Sequence, residues 1–255
     1  MIDALYTATA GLKSQQTQID TLSNNVSNMQ TPGFKAQRVA FGDVAVISPG
    51  QVQAGLLPER SGAGSEIIAT NSLFSQGQMV QTNNTWDIGI QGDGFLEVVD
   101  GGGNHLYTRS GQLHVDSEGY LVTSGGNRLA QDIQVPPDAT NIQINQNGQI
   151  YANVGGAKDA TLLGSFELAT FPSPTGLQSV GGNNYAATQA SGDASIGRPS
   201  ENGVGSIMQG SLEGSNVDMV SEMATLVVAQ RAYQLNARVL QASDQILDTI
   251  NNLRQ

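Results

Sequence analysis

Residues 5–29 read LYTATAGLKSQQTQIDTLSNNVSNM, and the order of apolar residues there decides the fold. Leu5, Leu12, Ile19 and Val26 recur every seven residues, and Ala8, Gln15, Leu22 and Met29 sit three further on in each heptad. This is an a/d seam with one polar interruption, Gln15, so the spacing predicts a helix over 1–30. Its polar face carries Thr7, Lys13, Ser14, Gln16, Asp20 and Asn24. The other end of the chain repeats the pattern. Leu226, Tyr233, Leu240 and Leu247 step by seven, and Val239, Ile246 and Leu253 form an adjacent row. The stripe over 217–255 is therefore broad enough to meet two neighbours. Ser215 or Asn216 is expected to cap this helix, with Ser221 and Glu222 adding polar contacts in its first turns. A helix of about 38 residues would extend roughly 55 Å.

Two arrangements are open for these helices. They could cover a β body as a simple pair. Globular helices usually run about 8–20 residues, however, and these are longer. A two-helix hairpin would also leave much of the broad stripe wet, and large exposed apolar patches mark interaction surfaces. The expectation is a coiled coil between the chain's own ends, completed by contacts to other subunits.

The middle is written differently. Thr31-Pro32-Gly33 stops the first helix near Gln30, because Pro then Gly breaks and turns the chain. Residues 31–75 and 201–216 read as extended connector, with β pieces at Val44–Ile47 and Ile67–Ala69. From 76 to 200 short β runs follow one another: Asp87–Ile90, Phe95–Val99, His105–Thr108, Leu113–Val115, Tyr120–Thr123, Arg128–Ala130, Ile142–Ile144, Gln149–Ala152 and Ser165–Phe171. Asp116–Gly119 and Asn145–Gly148 have the composition of hairpin loops, four residues ending in Gly. Many short strands at close spacing predict an antiparallel sandwich or barrel. The fold class is thus α+β: an antiparallel β-rich central domain bracketed by two long amphipathic helices that pair as a coiled coil.

Composition narrows the function. The net charge is −11. Residues 76–200 hold eleven Asp/Glu against four Lys/Arg, while the terminal helices carry about −1 each. An acidic body lacks the basic patches that nucleic acid requires. Cysteine is absent, which removes disulfides and thiolate metal sites. No basic n-region and apolar core of a secretory signal is visible, and no run approaches the ~18 apolar residues of a membrane span. The expectation is a protein that neither inserts into a membrane nor leaves the cytoplasm through a cleaved signal.

Catalytic motifs are missing: no G-x-S-x-G, G-x-x-x-x-G-K-[ST], H-E-x-x-H or C-x-x-C occurs. Gly92-x-Gly94 lacks a third glycine and lies between two β runs, so it reads as a hairpin turn rather than a nucleotide loop. His105 and His114 fall on neighbouring runs, but two ligands do not make a usual zinc site. Asp87, Asp93 and Glu97 read as solvated strand and turn carboxylates rather than a glycosidase pair. Trp86 reads as filling a core or joint. No catalytic residue, cofactor or metal is expected.

Longer motifs then become recognisable. Gly11-Leu12, Ser23-Asn24-Asn25-Val26-Ser27-Asn28 and Thr31-Pro32-Gly33-Phe34-Lys35 resemble the N-terminal signature of the flagellar rod and hook protein family. Ser75-Gln76-Gly77, Thr82-Asn83-Asn84 and Asp87–Phe95 resemble the opening of that family's β domain, and Tyr107–Gly111 with Leu121-Val122-Thr123 continue the likeness. Glu213–Val217 and Gln230-Arg231-Ala232-Tyr233 resemble its C-terminal motif. Length and the last motif make the chain most similar to the distal rod class. The resemblance implies a structural subunit of the bacterial flagellar basal body, exported by the flagellar export apparatus. Its terminal helices would self-assemble into an inner tube lining the export channel, and its β domain would form an outer layer. Other rod proteins, the hook protein and the basal-body rings around the rod are the implied partners. The implied location lies outside the cytoplasmic membrane, spanning the periplasm where an outer membrane exists. The likeness is weakest over 43–70, the connector that in this family helps decide between stiff rod and bendable hook. A proximal rod or hook protein is the alternative within the family. An oligomeric β-rich adhesin or carbohydrate-acting protein is the alternative of another class. On the first reading Leu5, Leu12, Ile19, Leu22, Val26, Leu226, Tyr233, Leu240 and Leu247 are the assembly residues.

Overall fold

The computed structural model describes residues 2–47, 60–155 and 159–252. The chain divides into two compact units. The first comprises Met1–Ser27, Gln37–Asn71 and Asp218–Gln255. It contains helix α1 (Ile2–Ser27), helix α2 (Met219–Asn252), and strands β1 (Gln37–Ile47) and β2 (Arg60–Ser72), which pair as a two-stranded ribbon. The helices pack together. Asn25 bonds Glu222, and Gly11 lies against Asn236. The same number of residues separates these two contacts on each helix, so α1 and α2 run antiparallel and in register. Glycine inside a helix costs about 1 kcal/mol relative to alanine. Here it makes room: a Cβ at Gly11 would stand 2.9 Å from the Asn236 amide nitrogen.

The cap of α2 differs from expectation. Asp218 occupies the position, its Oδ1 accepting from the Val220 N–H at 3.0 Å. Asn216 is engaged elsewhere, through bonds described below. Ser14 also departs from its expected polar face. It is buried, and its hydroxyl donates to the Ser65 carbonyl at 2.9 Å, because the ribbon packs against α1 there. The β pieces expected at Val44–Ile47 and Ile67–Ala69 fall inside β1 and β2, which are longer than the sequence suggested.

The second unit comprises Asn28–Ala36 and Ser72–Val217. The stretch expected as connector over 31–75 is therefore shared between the units. The strand Phe95–Val99 centres the largest sheet. It pairs with His105–Thr108 on one side, and with Leu168–Thr170 and Arg128–Leu129 on the other. A separate three-stranded sheet contains Thr140–Ile144, Gln149–Asn153 and Thr161–Ser165. These pairings are all antiparallel. Alternation along the strands directs Leu96, Val98, Leu121, Leu129, Ile150 and Leu168 into one core, joined by Phe166 from between two strands, and all seven have no exposed surface. Trp86 packs against that core. Phe74, Phe95, Tyr107, Phe171 and Tyr185 form a second cluster with edge-to-face ring pairs.

The turns follow their chemistry. Asp116 accepts from the Glu118 and Tyr120 N–H groups at 2.8 Å, and Gly119 supplies the left-handed residue at φ 87°. In the other hairpin the Gly148 N–H donates to the Asn145 backbone carbonyl at 2.9 Å, and Gly148 is the left-handed residue at φ 81°. The Gly92–Gly94 turn is not a hairpin. Ile88–Gln91 pairs with Ser206–Gln209, whereas Phe95–Val99 lies in the large sheet, so the glycines carry the chain from one sheet to another.

Candidate assembly surface

The helix pair brings the predicted seam residues onto packed helices, but to unequal depths. Leu22 is buried at 3% exposure. Leu5, Leu12, Ile19, Val26, Leu226 and Leu240 are half-buried. Tyr233 is 37% exposed. The side chain of Leu247 lies outside the described residues, as do Leu253 and the connector residues Leu56 and Leu57. Besides Leu22, the buried positions on the helices among the described residues are small or polar: Ala8, Ser14, Asn25, Glu222 and Ala229. The side-chain amide oxygen of Gln15 is buried without a hydrogen-bond partner.

Asn25 uses its whole amide. Its oxygen accepts from the Gln37 N–H at 2.9 Å, while its nitrogen donates to the Gln37 carbonyl at 2.9 Å and to Glu222 Oε2 at 3.2 Å. Glu222 Oε1 in turn meets Arg38 at 2.8 Å. The register of α1, β1 and α2 is therefore fixed by polar groups, which tolerate only one alignment.

The outer face of α2 is apolar and uncovered. Val220 is 78% exposed, Val228 66% and Leu235 61%, and Met223, Val227, Val239 and Ile246 are about half exposed. The row through Val239 and Ile246 was legible in the heptads. Val220, Val228 and Leu235 were missed. Their signal was present, since Val220 and Val227, and Val228 and Leu235, are also seven apart. On α1, Tyr6 is 77% exposed.

A second polar constellation lies in the body. Lys35 has no exposed surface, and its Nζ is 2.7 Å from Glu213 Oε1 and 2.8 Å from the Ser75 carbonyl. Glu213 Oε1 also accepts from the Gly77 N–H at 2.9 Å, and Oε2 meets Arg109 Nη1 at 3.3 Å. Burial pushes the Lys35 ammonium and the Arg109 guanidinium down from their ordinary pKa values, against the pull of Glu213. Gly33 has φ 72° and donates to the Glu213 carbonyl at 2.7 Å; a Cβ there would lie 2.7 Å from the Ser110 nitrogen. Asn216 accepts from the Ala36 N–H and donates to the Leu73 and Ser75 carbonyls. Thr31–Lys35 and Glu213–Val217 thus form one clasp. Sequence reading gave these motifs as a likeness and not as a role. The available signal was a lysine and a glutamate inside short motifs crowded with Gly and Asn.

Other candidates stay dispersed. His105 bonds Glu97 at 2.8 Å. Three strands of the large sheet separate its strand from that of His114, so the two histidines are not on neighbouring strands. Asp87 is buried and accepts from the Asn84 amide. Among the described residues no three His, Cys, Asp or Glu side chains gather in a metal-binding group. Among them, too, no helix is long and apolar enough to cross a membrane.

The profile described as flagella basal body rod protein matches residues 5–35. The flagellar basal body rod FlgEFG protein C-terminal profile matches 208–253, and the flagellar hook protein FlgE/F/G D1 domain profile matches 89–152. Over the full length of both chains the sequence is 37% identical to the flagellar basal-body rod protein FlgG of Borreliella burgdorferi. It is 34% identical to FlgG of Agrobacterium fabrum over 97% of this chain and 98% of that one. It is 33% identical to FlgG of Bacillus subtilis over the whole of both. The chain belongs to the flagellar basal-body rod protein family, in its FlgG class. As a member it is a structural protein of the flagellar basal body. The family profiles contain the central residues of both polar constellations: Asn25 and Lys35 fall in the first matched segment, and Glu213, Asn216 and Glu222 in the last. The ribbon β1–β2 lies outside all three.

Proposed function

We propose that this rod-family subunit polymerises through α1 and α2 into a hollow helical drive shaft that transmits torque and encloses the export channel. Within each subunit the helices pair as an antiparallel coiled coil on the predicted heptads. The observation that carries the reading is the outer face of α2, where Val220, Val228, Leu235, Val239 and Ile246 remain exposed after the helices have packed. Covering each such side chain contributes on the order of 1.5–3 kcal/mol. Several per subunit stabilise a contact, and a head-to-tail contact that does not close gives a helical filament. Leu5, Leu12, Ile19, Leu22, Val26, Leu226, Tyr233, Leu240 and Leu247 hold the pair, and the exposed row joins it to other copies. Other rod proteins and the hook protein cap the ends of the shaft, the basal-body rings surround it, and the flagellar export apparatus delivers the subunits. The connector over 43–70 tunes stiffness more than polymer formation. No catalytic step is proposed.

Val228→Asp combined with Leu235→Asp tests the reading. Both residues are exposed, so the helical circular dichroism of the isolated subunit should be unchanged. Electron microscopy of concentrated protein should show tubes for the wild type and none for the variant. Tubes of normal length from the variant would sink the proposal.

A further inference from the structure

The body is closed by its own last segment. Ser206–Gln209 pairs with Ile88–Gln91, and Ser211–Glu213 pairs with Met79–Gln81, each pair a separate two-stranded sheet. Without 206–213 the two earlier strands have no strand partner. Ile207 is buried in the core, and its N–H donates to the Gln146 carbonyl at 3.1 Å. The side-chain amide of Gln209 accepts from the Ile144 N–H and donates to the Thr85 and Ile142 carbonyls. Glu213 and Asn216 reach Lys35, Ala36, Leu73, Ser75 and Gly77. One short stretch thus joins three parts of the body, and none of these partners lies later in the chain than Gln146.

Charge sets this stretch apart from the other strands. Lys35 has no exposed surface and Arg109 is 3% exposed. The two cations repel one another, and both bond the carboxylate of Glu213. Asp93 also attracts Arg109, but it is exposed. A body that closed without Glu213 would bury two cations with no buried anion between them, which is strongly unfavourable. It can keep them wet only by staying open. Contacts this distant in sequence also cost loop entropy that is recovered only when the segment docks. We propose that residues 206–217 are a strap whose docking closes the body: the rest of the body stays unfolded without it and folds in one step when it docks. The open cleft recognises an extended segment that presents Ile207, Gln209, Glu213 and Asn216 at these spacings. A chain that appears in order from residue 1, as in synthesis, therefore holds its body open until residue 217 is present.

The test starts from the full chain with a protease site inserted between Asn202 and Gly203, in an exposed turn. Before cutting, the variant should unfold like the wild type. After cutting, and after separation in denaturant, the piece ending at Asn202 should lose the near-ultraviolet signal of the ring cluster and its cooperative transition. A synthetic peptide of residues 203–217 should restore both, and because it lacks α2 the restoration belongs to the strap. The same peptide with Glu213→Gln should need about tenfold or more higher concentration, since hydrogen bonds to a charged group are lost. A separated piece that keeps its cooperative transition overturns the proposal. Equal potency of the two peptides overturns Glu213 as the group that is recognised. Should the separated piece precipitate, hydrogen exchange on the intact wild type decides. The Ile207, Gly210 and Gly214 amides, which bond Gln146, Asp87 and Gln78, should be protected to within about tenfold of the Val135 and Phe166 amides, because one opening exposes them all. Strap amides that exchange about a hundredfold faster while Val135 and Phe166 stay protected would mean that the strap opens alone, and would overturn it.

Discussion

The β body and the helical unit treat their apolar residues in opposite ways. In the body a continuous cluster from Ile88 to Ile207 is sealed from water, and a second aromatic cluster adds edge-to-face contacts. In the helical unit only Ala8, Leu22 and Ala229 are apolar and buried among the described residues, while α2 leaves seven large aliphatic side chains about half or more exposed. One region completes its core within the chain. The other leaves an apolar face uncovered, on helices positioned by Asn25, Ser14 and Glu222 more than by a hydrophobic core. An apolar face held in place by polar bonds is suited to assembly, because it is ordered before its partner arrives.

The largest test of this contrast is to remove residues 226–255. The body should remain folded, with a cooperative transition by circular dichroism, and light scattering should show no polymers. If cooperative unfolding vanished, the helices would be part of the body's own core and the contrast would fail. A smaller effect should come from Glu213→Ala. It leaves Lys35 and Arg109 buried and unpaired, so body stability measured by urea unfolding should fall by about 3–5 kcal/mol. A loss under about 1 kcal/mol would mean that water or rearrangement replaces the carboxylate.

Tyr185 gives a pH test of the body alone. Burial pushes its hydroxyl pKa up to about 12, while its bond to Ser72 opposes the shift. A pKa raised in the folded state means that the unfolded chain releases the proton first. The contribution is present below the ordinary value near 10 and is lost as pH rises through about 12. Over that window the wild type should lose about 2–3 kcal/mol more than Tyr185→Phe, at 1.36 kcal/mol per pKa unit. Equal losses in the two proteins would show that water reaches the hydroxyl. The smallest effect is expected from chelators and from His105→Gln with His114→Gln, which should leave melting temperature and assembly unchanged. A fall in melting temperature on chelation, reversed by one specific metal, would place a metal in the body that the sequence pattern does not suggest.

Much of the contrast was legible beforehand. Heptads of Leu, Ile and Val repeat over too many residues to be chance, so the two helices followed from periodicity alone. Short β runs separated by Asp–Gly and Asn–Gly turns marked the body, because those turns need a left-handed residue that Gly supplies. Other features were not legible. Ser14 looked solvent-facing, yet the ribbon covers it. Asn216 looked like a helix cap, yet the clasp claims its amide and Asp218 caps instead. The Gly92–Gly94 turn looked like a hairpin, because adjacency in sequence does not say which strands will pair.

By itself, then, the sequence determined the elements: two amphipathic helices and an antiparallel body punctuated at its turns. Local periodicity and turn chemistry act over a few residues, and a linear pattern records them. Tertiary structure alone decided which residues separated by a hundred or more positions share one hydrogen bond. Asn25 with Glu222 and Lys35 with Glu213 are such pairs. It also decided which of two adjacent apolar rows on α2 the chain would cover itself. That choice depends on what else packs against the helix, and no spacing along the chain encodes it.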